Sequence, residues 1–167
     1  EDPPVWPTVA IVVPVYNEGP SILKTAASFE ALDYPRERLQ VVFIDDVSTD
    51  DTYDHLMTVA QTYSWMKVIR NDKNVGKRIG IKNAVLKTHA DLIVSVDSDV
   101  IVDSQALRIM VRHLIYTGSD ATGGCVFVSN ANENWLTRMQ AVKYWIGYQF
   151  LKNLENRFSH IMCLSGC

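Results

Sequence analysis

The sequence is short of cysteine and of long hydrophobic runs. Its 167 residues hold three cysteines, Cys125, Cys163 and Cys167. The number is odd and no Cys-x-x-Cys pair occurs, which argues against a disulfide framework and against a zinc site. A reducing compartment fits best, with Cys125 and Cys163 read as buried strand residues. No run reaches the ~18 apolar residues that a membrane span needs, and Asp97 and Asp99 interrupt the most apolar stretch. A signal-peptide pattern is absent, as are repeats and low-complexity tracts. Positive charge is not in excess either. The formal net charge is −3, which argues against a nucleic-acid partner, since such partners usually meet a basic face. The four histidines, His55, His89, His113 and His160, show no metal-ligand spacing and read as surface residues.

What is present is ordinary for a globular chain. Hydrophobic residues make up 47% and charged residues 21%. The length suits a single domain over residues 1–167, able to bury about two-thirds of its unfolded surface. The chain starts at Glu1-Asp2-Pro3-Pro4 and stops at Ser165-Gly166-Cys167 directly after an apolar run. The expectation is therefore a piece excised from a longer protein.

Two hydrophobic periods alternate along the chain. Val9–Val13 and Val41–Ile44 are short, apolar and mostly β-branched, as buried strands are; Met66–Ile69 reads as a third, weaker strand and Leu92–Val96 as a fourth that runs into Asp97. Cys125–Val128 and Ile161–Leu164 read as two further strands. Between them lie helical stripes. Ser21 caps one that turns Ile22, Leu23, Ala26 and Ala27 inward. Ser48 and Asp51 have capping-box-like spacing ahead of Tyr53, Leu56, Met57 and Ala60. Ile81, Ala84, Val85 and Thr88 form a third stripe. Asp103 or Ser104 caps a fourth, with Leu107, Met110, Val111 and Leu114. One long helix is predicted from about residue 134 to about 158. Its Trp135, Tyr144, Trp145, Tyr148 and Phe150 read first as core, with sugar stacking or a membrane interface as alternatives. Strands alternating with helices over short loops imply an α/β fold with a largely parallel sheet.

In such sheets ligands bind beyond the carboxyl ends of the strands. The candidates there are Tyr16-Asn17-Glu18, Asp45-Asp46, the loop from Arg70 to Arg78, and Asp97-Ser98-Asp99. Two carboxylates one residue apart repel each other unless a cation sits between them. Oxygen donors of this kind suit Mg²⁺ or Mn²⁺ carrying a substrate phosphate. The other reading of Asp97 and Asp99 is a solvated loop that caps the next helix. Asp50 and Asp51 read as first-turn acids that favour a helix dipole. Asp46 precedes that turn and is free to face a ribose or base. Lys77 and Arg78 open a helix where cations work against the dipole, which favours an anionic ligand such as a diphosphate. The Gly-x-x-x-x-Gly-Lys-Ser/Thr spacing is missing, so this is not a P-loop. No Gly-x-Gly-x-x-Gly follows the first strand, so a Rossmann dehydrogenase is poorly supported.

Taken together, these strand-end motifs resemble family-2 glycosyltransferases of the GT-A fold. Val13-Pro14-Val15-Tyr16-Asn17-Glu18 is similar to that family's opening strand and nucleotide loop. Asp45-Asp46-Val47-Ser48-Thr49-Asp50 is similar to its second motif, and Asp97-Ser98-Asp99 to its metal-binding Asp-x-Asp. Asn74-Val75-Gly76-Lys77-Arg78, Asn134-Trp135-Leu136-Thr137-Arg138, Tyr144-Trp145 and Ser165-Gly166 resemble the hyaluronan synthase and nodulation chitooligosaccharide synthase branch. The resemblance implies a Rossmann-like, mostly parallel sheet and a UDP-sugar donor. It implies inverting transfer to a growing β-linked polysaccharide, and a full-length protein embedded in the membrane with its site on the cytoplasmic face. By it, Pro14, Tyr16, Asn17, Glu18, Asp46, Lys77, Arg78 and Asp97 would meet the nucleotide sugar. Asp99, with Asp97, would hold the metal, and Ser165, Gly166 and Cys167 would begin the acceptor loop. Cys167 stands where many relatives have proline. The general base and a Gln-x-x-Arg-Trp-like motif are expected beyond Cys167. A non-processive transferase acting on a lipid or protein, and an inactive nucleotide-sugar-binding module, are the alternatives.

Overall fold

The computed structural model describes residues 2–151, the last three by backbone alone. The predicted strand Ile161–Leu164, the end of the long helix, Cys163, His160 and the loop Ser165, Gly166 and Cys167 lie outside the described residues. The chain falls into two compact units, one ending at Gly118 and one beginning at Ser119.

In the first unit four strands form one parallel sheet, ordered β3-β2-β1-β4. They are β1 (Val9–Val15), β2 (Leu39–Asp45), β3 (Met66–Arg70) and β4 (Leu92–Ser95). All three pairings are parallel, with Val15 opposite Asp45 and Asp45 opposite Arg70. The continuous apolar run of β1 follows from its place in the sheet, because a central parallel strand is covered on both faces. Period 2 divides its residues between two layers. Val9, Ile11, Val13 and Val15 pack with Ile22 and Phe29, with Leu56, and with Leu107. Val12 faces the other way, with Val42, Ile44 and Ala84.

Those partners name the helices. α1 (Ile22–Glu30), α2 (Thr52–Thr62) and α4 (Ala106–Thr117) cover one face, and α3 (Lys77–Leu86) covers the other. Pro14 is tolerated in a central strand for a local reason. Thr8 and Val12 offer their carbonyls to Leu92 and Val96 of the β4 side. Residue 14 faces that same side, past the end of β4, where a missing N–H removes no ladder bond. Entry to β1 and β4 is tied by Asp91, whose Oδ2 accepts from Thr8 N–H at 2.8 Å and Thr8 Oγ1 at 2.7 Å. Those two donors hold the Asp91 carboxyl below its ordinary pKa.

Several stripes sit one residue away from where the sequence places them. α1 buries Ile22, Thr25, Ala26, Ser28 and Phe29, while Leu23 and Ala27 face out. Phe29 decides the rotation, since it is fully buried with its ring centroid 6.1 Å from that of Phe43. α2 buries Thr52, Leu56 and Val59, and Met57 is exposed. Neither Ser21 nor Asp51 makes a side-chain cap. α4 starts after Gln105, whose N–H donates to Asp103 Oδ1 at 2.9 Å, and ends at Gly118 with φ 63°. That left-handed residue is where glycine costs least.

The second unit departs furthest from expectation. No strand forms at Cys125–Val128, and Cys125 is exposed. A strand exists through its ladder, and among the described residues this segment has no ladder partner. α5 (Trp135–Trp145) begins with a reciprocal cap, Asn134 Oδ1 accepting from Thr137 N–H at 3.0 Å and Thr137 Oγ1 from Asn134 N–H at 3.2 Å. It continues as a π-helical turn, Ile146–Leu151. Trp135 and Trp145 are exposed, so the core reading of this aromatic helix does not hold for them among the described residues.

The rotation of α1 is testable by paired truncations. Phe29→Ala is expected to cost ~3–5 kcal/mol in urea denaturation, the range for emptying a buried aromatic site. Leu23→Ala on the outer face is expected to cost under about 0.5 kcal/mol. Equal losses would place Leu23 in the core.

Candidate functional site

All four strand ends open on the same edge of the sheet, as parallel strands require. The order of the strands brings the loop after β1 beside those after β2 and β4. The loops after β1 and β2 interlock through small side chains. Asn17 N–H donates to Ser48 Oγ at 3.0 Å, and Thr49 N–H donates to Asn17 Oδ1 at 2.8 Å. Glu18 and Gly19 both donate their N–H groups to Thr52 Oγ1, at 2.9 and 2.8 Å. Ser48 is thus committed to Asn17 rather than to capping α2. Asn17 has φ 54° and Val47 φ 65°. A positive φ is uncommon outside glycine and an outlier for a β-branched residue. Such strain persists where its surroundings over-determine it, and it gathers at functional sites. Here Asp45 Oδ1 accepts from Ser48 N–H at 3.2 Å and holds the turn around Val47.

Two acids end β2, and both are buried. Asp45 Oδ2 lies 3.2 Å from Arg70 Nε as a charge contact without hydrogen-bond geometry. The Arg70 guanidinium also donates to Ser48 O at 3.1 Å and stacks 4.3 Å from the Tyr53 ring centroid. Asp46 is not free to face outward. Its Oδ1 accepts from Asn71 Nδ2 at 2.8 Å and Val75 N–H at 2.9 Å, and its Oδ2 from Gly76 N–H at 2.7 Å. Burial pushes the Asp46 carboxyl up, but the donors on Val75, Asn71 and Gly76 outweigh it and hold the group below its ordinary pKa. The loop between β3 and α3 is therefore clamped onto the end of β2. Gly76 takes φ 80° there and caps α3 without a side chain.

That clamp sets Lys77, the first residue of α3. Its Nζ lies 2.5 Å from Asp97 Oδ1. Arg78 and Lys82 are exposed beside it, and with Gly76 and Lys77 they line an open groove. In the turn after β4, Ser98 is buried while Asp99 is exposed and Asp97 half-buried. Ser98 Oγ donates to Glu18 Oε1 at 2.7 Å, and Ser98 O accepts from Thr25 Oγ1 at 2.7 Å. The serine points in and the flanking acids carry the outer surface of the turn. Asp99 makes no hydrogen bond or ion pair among the described residues. This donor set fits a hard divalent cation: two carboxylates, one exposed and one already drawing a cationic ammonium. Among the described residues no three acids, histidines or cysteines converge, so other oxygens, such as those of a phosphate, would complete the shell.

Of the residues singled out in the sequence, Asn17, Glu18, Asp46, Lys77 and Asp97 are joined by hydrogen bonds or ion pairs around this edge. Pro14 stays in the strand, and Tyr16 is exposed beside it. Asn71, Thr52, Thr25 and Ser98 hold the loops together but carry no distinctive spacing. Ser98 has a signal of a kind, because period 2 turns the middle residue of Asp-Ser-Asp opposite to its neighbours.

Asp46→Ala is expected to lower stability by about 1–3 kcal/mol through the donors it strands. With its pKa depressed in the folded state, the carboxylate stabilises fully above the unfolded-state pKa of about 3.9. That contribution is lost as pH falls through the lower native value. The gap in urea midpoint between wild type and variant should therefore narrow below about pH 4; a pH-independent gap would assign the effect to something other than the ionised clamp.

The chain has counterparts among known proteins. The model of "Glycosyl transferase family 2" matches residues 10–167. An N-acetylglucosaminyltransferase of Azorhizobium caulinodans is 31% identical over 98% of this chain and 41% of its own length. One of Mesorhizobium japonicum is 33% identical over 99% of this chain and 40% of its own. The chain thus spans about two-fifths of the length of these curated relatives. Among solved structures, the mannosyltransferase PcManGT from Pyrobaculum calidifontis, in complex with GDP-Man and Mn²⁺, superposes with a TM-score of 0.67. It is 28% identical, and the match covers 75% of this chain and 37% of that one. The parallel sheet flanked by helices, the interlocked strand-end loops and the family match lead to one assignment: this chain is a member of glycosyltransferase family 2, with the GT-A fold.

Proposed function

We propose that this chain binds the donor in an inverting glycosyltransferase that moves N-acetylglucosamine from UDP to a growing β-linked polysaccharide. The observation that carries the reading is the ion pair of Asp97 with Lys77 at the start of α3, with the exposed Asp99 two residues on in the same turn. Acids and bases converge there on a helix N-terminus, where a diphosphate and its counter-ion find opposite charges. The names of the rhizobial relatives favour N-acetylglucosamine as the sugar. The mannosyltransferase solved with Mn²⁺ favours a divalent metal.

In this reading Asp99, assisted by Asp97, would hold Mg²⁺ or Mn²⁺, and the metal when bound would supply positive charge to a leaving diphosphate. Lys77 releases Asp97 and turns its ammonium, with Arg78, toward the phosphate oxygens. Tyr16 and the Asn17 turn take the uridine, while Asp46 keeps the 71–76 loop in place against it. The base that activates the acceptor hydroxyl lies beyond Cys167, and Ser165-Gly166-Cys167 opens the acceptor loop. The whole protein works at the cytoplasmic face of the cell membrane. None of the described helices is long and apolar enough to cross a membrane, so that anchoring belongs to other parts of the protein.

The test is thermal melting of the chain with UDP-N-acetylglucosamine and Mn²⁺, separately and together. A ligand at 100 times its Kd adds about 2.7 kcal/mol, which raises the midpoint of a domain this size by roughly several degrees. The full rise should need both ligands, the nucleotide sugar alone giving a smaller one, and the metal-dependent part should vanish in Asp99→Ala. A cooperative melt that ignores both ligands, or a full rise in Asp99→Ala, would overturn the reading.

A further inference from the structure

Glu18 belongs by sequence to the nucleotide loop, yet its carboxylate is turned toward the other acidic turn. Its Oε1 accepts from Ser98 Oγ at 2.7 Å, across 80 residues of sequence. Its backbone leaves little freedom to turn elsewhere. The Glu18 N–H is held by the buried Thr52 Oγ1, and its carbonyl accepts from Ser21 Oγ at 2.6 Å. The carboxylate has no cationic partner among the described residues. We propose that Glu18 is a positioning residue for the Asp97-Ser98-Asp99 turn, acting through the Ser98 hydroxyl and not through contact with the nucleotide.

The turn needs such a support. Asp99 makes no bond of its own among the described residues, so its backbone alone decides where its carboxylate stands. That backbone is pinned at Ser98 from two sides, by Glu18 through the hydroxyl and by the buried Thr25 through the carbonyl. Val100 N–H closes the turn onto Asp97 O at 3.2 Å. Carboxylates one residue either side of Ser98 repel each other when no cation lies between them. Removing the inner anchor lets the turn relax outward and weakens the pair as a chelate. Hydrogen-bond partners one shell out from metal ligands typically change metal affinity by 10–100-fold. A glutamine at position 18 retains a carbonyl oxygen able to accept from Ser98, whereas alanine does not.

The inference rests on the metal-diphosphate reading above, and its test separates the two. Mn²⁺ binding to the 167-residue chain is followed by electron paramagnetic resonance at fixed UDP, for wild type, Glu18→Ala, Glu18→Gln, Ser98→Ala and the double alanine variant. Binding of UDP in EDTA is followed in parallel by ligand-observed NMR. Glu18→Ala and Ser98→Ala should each raise the half-saturating Mn²⁺ about 10–100-fold. The double variant should be no worse than the worse single one, since both remove one bond. Glu18→Gln should stay close to wild type, and metal-free UDP binding should not move. Glu18→Gln and Ser98→Ala are the gentler changes, and their contrast decides the matter if Glu18→Ala fails to fold. Multiplying effects, a Glu18→Gln as weak as Ser98→Ala, or weaker UDP binding without metal in Glu18→Ala would overturn the positioning role. A wild type that binds no Mn²⁺ with UDP would overturn the metal-diphosphate reading, and this inference with it.

Discussion

A carboxylate taken out of water has to find donors, and at the end of β2 two of them are buried side by side. Much of the site is the consequence. Asp45 draws Arg70 in from the neighbouring strand and holds the Ser48 amide. Asp46 draws two backbone amides and a side-chain amide from the loop after β3. Without that acceptor the loop would keep its Asn71 N–H bond to Asp45 O but lose its anchors at Val75 and Gly76, where α3 begins. The position of Lys77 is thus set by an acid that it does not touch.

The other half of the site is organised by hydroxyls. Thr52, Thr25, Ser48 and Ser98 are small and buried; Thr52, Ser48 and Ser98 bond the loop after β1, and Thr25 bonds the turn after β4. A hydroxyl both donates and accepts without carrying charge, so it joins loops at low desolvation cost. The charged groups, Asp97, Asp99, Lys77 and Arg78, are left at the rim. Formal charge is thereby concentrated where solvent and ligand reach it. The backbone that carries it is held from beneath, by the Asp46 carboxylate before Lys77 and by Glu18 and Thr25 at Ser98. The strained φ angles of Asn17 and Val47 belong to the same scheme, since interlocked loops can hold conformations that a free loop would abandon.

How much of this was legible beforehand varied with the kind of interaction involved. The four strands of the first unit and their parallel pairing follow from short runs rich in β-branched residues separated by helical stripes, unbroken in β1 and interrupted by Lys67 in the partly buried β3. Burial on both faces leaves no other composition for a strand such as Val9–Val15. The strand ends were therefore readable as the site edge. Helix rotation was read less well. In α1 the sequence offers Leu23 and Ala27 as readily as Thr25 and Phe29, and only the packing of Phe29 on Phe43 selects between them. At Cys125–Val128 the local pattern was strand-like, but no ladder partner meets it among the described residues, and a β pattern without a ladder is not a strand.

Composition, period and spacing by themselves determined the α/β class, the sheet edge of the candidate site, and the acidic and basic residues there. Those properties reside in residue types along one segment at a time. The tertiary structure alone decided what each of those residues does. Asp46 became a clamp, Lys77 a counter-ion to Asp97, and Glu18 a partner of Ser98. These roles join residues 20 to 80 positions apart. A hydrogen bond depends on atoms within about 3 Å of each other in space, and no local pattern along the chain encodes which distant loop will supply them.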